Sequence, residues 1–153
     1  MIGNIIVAFS NLPCLLPIYT SIYNNDLFTA IPIVSVSLFS FVSHLIENHK
    51  HGMPGIGLST KISYFANRLD VISCIAVILR MLFIYYQRYG LVLHNNCFFL
   101  SLLMSFVILQ ISEYDKYNAK LRNRYIVCHY IWHISIFLLM QYFLENMIYT
   151  NQK

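Results

Sequence analysis

Charge is what this 153-residue sequence has least of: Asp, Glu, Lys and Arg together make up only 10% of it. A soluble domain carries about 25%. With 58% hydrophobic residues and a mean hydropathy of +0.61, too few polar side chains remain to clothe a water-facing surface. The chain is therefore expected to be an integral membrane protein, and its length allows one domain. The net charge of +4 is too small, and too confined to loops, for a nucleic-acid partner. Cysteine provides no framework either. Cys14, Cys74, Cys97 and Cys128 are scattered, form no CxxC and mostly sit within apolar runs, which argues against both a disulfide scaffold and a cysteine zinc site. The opening Met1-Ile2-Gly3-Asn4 lacks the basic stretch of a signal peptide, so the first apolar run is expected to stay as a span. No repeat or low-complexity tract is present.

What the sequence does have is long apolar runs. A bilayer-crossing helix needs about 20 mostly apolar residues, and five segments qualify: 2–23, 27–46, 69–86, 91–111 and 125–149. The first is interrupted by Asn11, Pro13 and Pro17, and the second carries Pro32. Kinks of this kind are tolerated in a membrane bundle because neighbours satisfy the freed backbone groups. The expected fold is an all-α polytopic transmembrane helix bundle. Between the second and third spans lies the longest polar stretch, 47–68, with Gly52, Pro54, Gly55 and Gly57; a second charged loop covers 112–124. These two loops share one side and hold Lys50, Lys61, Arg68, Lys116, Lys120, Arg122 and Arg124, against Arg88 and Lys153 on the other. The positive-inside rule then puts the N-terminus and both loops in the cytoplasm, with the C-terminus opposite.

Polar groups inside these runs carry the functional signal, because a polar residue in lipid is costly unless partnered. His129 and His133, four apart, lie on one face of the last span. The second span ends Ser40-Phe41-Val42-Ser43-His44, with Ser40 and His44 on a common face, and the third opens Arg68-Leu69-Asp70. In five alternating helices all of these fall towards the cytoplasmic side. Three helices thus bring three histidines, one carboxylate and one hydroxyl to a single layer, enough for a zinc ion with three nitrogen ligands and an open position.

Ser-x-x-x-His, Leu-Asp opening the next helix and His-x-x-Trp-His in the last helix resemble the CREST superfamily of membrane hydrolases, which includes alkaline ceramidases, Per1-like proteins, myomaker-like proteins and the progestin and adipoQ receptors. The resemblance rests on Ser40, His44, Asp70, His129, Trp132 and His133, and Glu47 is similar to an acidic residue of some Per1-like members. It implies that His44, His129 and His133 bind zinc, with Ser40 and Asp70 close to the bound water. That family has seven spans where five are counted here. On this reading the protein is a zinc-dependent lipid hydrolase. Asp70 would orient or deprotonate the water and Ser40 would support the oxyanion, on an amide or ester lipid entering sideways from the bilayer.

Each residue also has a plainer explanation. The histidines could make interhelical hydrogen bonds, Asp70 could favour a helix start, Ser40 could bond back to its own helix, and Trp132 could simply pack. His49 and His51 belong to a loop and His94 to the opposite side, so none of the three joins the site. Arg80 lies mid-span, roughly 15 Å along from Asp70, and is free to snorkel or to meet a headgroup or an acidic side chain. Two rival functions remain at this stage: bis-histidine haem binding by His44 opposite His129 or His133, and a non-catalytic CREST-like membrane protein.

Overall fold

The computed structural model describes residues 2–47, 55–56 and 58–150, so His49 and His51 lie outside the described residues. Six α-helices follow in order: α1 (Ile2–Phe9), α2 (Leu15–Tyr23), α3 (Leu27–Ile46), α4 (Thr60–Tyr89), α5 (Asn96–Asp115) and α6 (Arg122–Tyr142). No strand occurs among the described residues. α1 and α2 form one segment broken by a 3-10 turn at Leu12–Cys14, where Pro13 cannot donate a backbone hydrogen bond. α6 runs on through a widened, π-helical turn at Phe143–Ile148. Five helical segments are long and apolar enough to cross a membrane.

The distribution of polarity supports a lipid-facing exterior. Phe28, Leu91, Tyr19 and Val92 are each exposed, whereas Asn4, Ser10, Ser43, Glu47, Ser63, Asp115 and the three span histidines are buried. A water-soluble protein does the reverse. Contact between helices rests on small residues, which let backbones approach closely without a hydrophobic driving force. On α4 the buried stripe is Ser63, Ala66, Asp70, Ser73 and Val77, and it packs on Ser40- and Ser43-bearing α3.

Helix ends follow the local chemistry. Asp26 caps α3 by accepting from the Thr29 amide at 3.0 Å, and Asn95, in a left-handed conformation, caps α5 through Phe98 at 3.1 Å. Gly90 closes α4 at φ +64°, which glycine adopts without a Cβ penalty. Several boundaries differ from expectation. α4 begins at Thr60, capped by Ser59, rather than at 69, because a helix need not be apolar once it leaves the bilayer. Asp70 consequently sits almost three turns inside α4, so helix capping does not account for it. α5 begins at Asn96 and reaches Asp115, taking the first part of the expected 112–124 loop into the helix.

α1 and α2 lie between α3 and α6, α4 packs on α3, and α5 packs on α6. α4 and α5 are joined by a short connection yet scarcely touch, leaving a gap between them. Below it, Ile33, Val36, Val77, Phe137, Met140, Phe143 and Leu144 form the apolar core. At the end away from the histidines, Arg80 resolves its ambiguity. Its Nη2 donates to both Asp26 carboxylate oxygens at 3.0 and 3.1 Å and its Nε to Thr29 Oγ1 at 2.9 Å, while Tyr149 donates to Asp26 Oδ2 at 3.0 Å. This cluster ties α4, the α2–α3 turn and the C-terminal turn together.

Candidate metal centre

His44 comes from the last turn of α3, and His129 and His133 from successive turns of α6; all three are buried. One ring nitrogen of each lies within 4.8 Å of those of the other two. His44 Nε2 and His129 Nε2 are 3.2 Å apart, and the ring centroids are separated by 4.7, 5.1 and 4.7 Å.

The opposite nitrogens decide what the cluster can bind. His129 Nδ1 is 2.9 Å from Ser112 Oγ, and His133 Nδ1 is 2.6 Å from Ser10 Oγ. Each hydroxyl has one proton, and each also reaches a carbonyl of its own helix: Leu109 O at 3.0 Å and Val7 O at 2.6 Å. A carbonyl can only accept, so the hydroxyl proton goes there and the oxygen accepts from the imidazole N–H. Glu47 Oε2 stands 3.5 Å from His44 Nδ1, too long for a good hydrogen bond but placing an acceptor on that side as well. The two serine contacts assign the Nδ1–H tautomer to His129 and His133, so that Nε2 carries the lone pair in each. His44 brings its Nε2 to the same point, 3.2 Å from His129 Nε2. Three imidazoles, each with a ring nitrogen within 4.8 Å of the others, form a donor set that fits zinc, and the serine hydroxyls on His129 and His133 are of the kind that orient metal-binding histidines.

Backbone packing holds this geometry. Asn4 Nδ2 donates to His44 O and to Glu47 O, both at 3.0 Å, so α1 satisfies orphan carbonyls at the end of α3. Gly55 lies against the same turn: a Cβ there would come within 2.5 Å of Ile46 C and 2.6 Å of Glu47 N and O. Only glycine permits that approach.

A cavity of about 580 Å³ opens beside the histidines, and Ser40, His44, Asp70, His129, Trp132 and His133 all line it. The residues singled out in the sequence on three helices therefore border one cavity. Asp70 is buried and accepts from Cys74 Sγ at 3.8 Å. One arm of the cavity is apolar, running past Val77, Met81, Tyr85, Phe98 and Phe143, roughly 22 Å along α4 from Asp70 to Tyr85. The other end is polar, with Asn67, Glu113 and Lys116, the last two ion-paired. Lys116, just beyond α5, has its pKa raised: burial lowers it, but the Glu113 carboxylate outweighs that effect. His94 is exposed and stacks on Tyr89, apart from the cluster. Ser10, Ser112 and Asn11 were not singled out as site residues in the sequence; for Ser10 and Asn11 the signal available was a polar pair just before Leu12-Pro13 in an apolar span.

No family profile matches the chain, and no solved structure does. A viral protein matches it closely: uncharacterized protein L282 of Acanthamoeba polyphaga mimivirus is 50% identical over 150 residues, covering 95% of this chain and 99% of that protein. The chain belongs to the L282 family.

Proposed function

We propose that the protein is a zinc-dependent intramembrane lipid hydrolase of the CREST type, acting on an amide or ester bond. The observation that carries this reading is three buried histidines, each with a ring nitrogen within 4.8 Å of the others, lining one largely apolar cavity together with Asp70 and Ser40. A haem fits less well. Its ring must lie between two axial histidines, whereas His44 and His129 approach to 3.2 Å with His133 alongside.

Zinc held by His44, His129 and His133 would supply Lewis acidity and lower the pKa of a bound water towards ~7. The chain's own residues do the rest. The Asp70 carboxylate takes a proton from the attacking water, whose oxygen adds to the acyl carbon. Ser40 donates a hydrogen bond to the oxyanion that develops. The C–N or C–O bond then breaks, and the proton passes to the departing amine or alkoxide. The apolar arm holds the acyl chain, and the gap between α4 and α5 gives a lipid sideways access from the bilayer. We place the N-terminus and the polar loops in the cytoplasm, from the excess of basic residues.

The test is release of fatty acid from ceramides and phospholipids in liposomes by purified, metal-loaded protein. Turnover that disappears in a His133→Ala variant supports the reading. A zinc-loaded wild type inert on the whole panel would instead favour a non-catalytic membrane role.

A further inference from the structure

A stripe of cavity-lining residues runs along each of α4, α5 and the last span, and all three stripes stop at one level. The last lining residue is Tyr85 on α4 and Phe143 where the π-helical turn begins, while Phe98 and Phe99 are the first on α5. These four rings form a closed circuit. Centroids from Tyr85 to Phe99, Phe99 to Phe98, Phe98 to Phe143 and Phe143 back to Tyr85 are 5.5, 5.4, 5.7 and 6.2 Å apart, the spacing of packed aromatic pairs. Tyr85 is held in place by the α4–α5 connection: its hydroxyl donates to Val92 O at 2.5 Å and accepts from the His94 amide at 2.9 Å. Its contact with Phe99 bridges two helices that otherwise scarcely touch, which closes the gap between them at this end. One turn further on, Tyr89 donates to Met147 O at 2.6 Å, and neither of these residues lines the cavity.

We propose that this ring circuit is the floor of the acyl site and limits the chain it accepts to about 18 carbons. Asp70 and Tyr85 are roughly 22 Å apart along α4, and an extended chain gains about 1.2 Å per bond. A chain whose carbonyl sits beside Asp70 and the histidines therefore fills the arm when it reaches the rings. Further carbons must push the rings apart, or bend out between α4 and α5 and empty the lower arm. Forcing extra methylenes into a filled apolar space is costly. Seating the carbonyl beside Asp70 rests on the lipid-hydrolase reading, whereas the ring circuit does not.

Binding of chains that cannot be hydrolysed tests this. Trp132 is the single tryptophan and lines the same cavity, so a fatty acid brominated along its chain should quench it, and displacement restores the fluorescence. The competitors are methyl ketones of about 16 and about 24 carbons, one on each side of the limit. Detergent is as apolar as the arm, so length alone gives no advantage. Wild type should bind the shorter ketone about 10-fold or more tightly than the longer one. Phe98→Ala removes one ring of the circuit and should bind the two alike, with wild-type affinity for the shorter ketone showing that it is folded. Equal binding of the two by wild type overturns the proposal, as does a preference undiminished in Phe98→Ala, or a fatty acid that fails to quench Trp132. Should Phe98→Ala fail to fold, the wild-type comparison alone decides. A protein inert on every lipid that still shows the length limit would lose the hydrolase reading and keep the floor; turnover without a limit would do the reverse.

Discussion

Ser10 offers a sharp test of how the proposed metal centre is organised. Its hydroxyl lies 2.6 Å from His133 Nδ1 and 2.6 Å from Val7 O, and the residue is 2% exposed. In Ser10→Ala, Val7 O still receives the Ser10 backbone N–H at 3.3 Å, so the change falls on the His133 ring, which loses its hydrogen bond to Ser10. One such hydrogen bond contributes about 0.5–1.5 kcal/mol. Loss of such an outer hydrogen bond to a metal-binding histidine typically weakens metal affinity by about 10–100-fold. Zinc affinity measured by competition with a chromophoric chelator should fall within that range in Ser10→Ala, and again in Ser112→Ala. Ser105→Ala is the control. Ser105 is equally buried on α5, but its hydroxyl reaches only Ser101 O, one turn back in its own helix. If Ser10→Ala and Ser112→Ala hold zinc as tightly as Ser105→Ala does, the tautomer argument is wrong.

Further outcomes follow from other parts of the structure. Asp70→Asn should keep zinc but lose about 10²–10⁴-fold in turnover, since an amide cannot accept the water's proton; Ser40→Ala should lose about 10²–10³-fold at most. Arg80→Leu should cost about 1.5–3 kcal/mol in thermal or chemical unfolding, by leaving the Asp26 carboxylate without its charged donor. Burial raises the Asp26 pKa, but hydrogen bonds from Thr29 and Tyr149 and the Arg80 charge outweigh it and hold the group below its ordinary value. Its stabilising contribution is thus present above the unfolded pKa of about 3.9 and is lost as pH falls through the lower folded value. Thermal melts below pH 4 should show that loss in wild type and lack it in Asp26→Asn. Gly55→Ala should destabilise by about 1–3 kcal/mol and weaken zinc binding at the same time, because the displaced turn carries Glu47 and adjoins His44; unchanged melting would show that the turn yields freely.

How much of this could be read from the sequence depended on distance along the chain. The spans were legible because apolar runs of about 20 residues have few other uses, and the span 27–46 coincides with α3. The i, i+4 spacing placed His129 and His133 on one face, and counting helices carried His44, Ser40 and Asp70 to the same end. The start of α4 was not legible: Lys61, Asn67 and Arg68 read as loop, whereas they extend a helix beyond its apolar part. Ser10 and Ser112 were invisible for a different reason. Serine is common in membrane helices, and what singles these two out is a ring nitrogen 123 and 17 positions away. Asn11 read only as an interruption, and the Arg80–Asp26 pair joins groups 54 positions apart. Periodicity reports which face a residue occupies; it does not report what faces it.

Elemental analysis of the purified protein addresses the centre of the account most directly. Wild type should carry about one zinc per chain, His44→Ala, His129→Ala and His133→Ala should each lose most of it, and His94→Ala should keep it. A metal-free wild type that takes up no zinc on dialysis, or equal retention by all four variants, would contradict the assignment of the three span histidines as a metal centre.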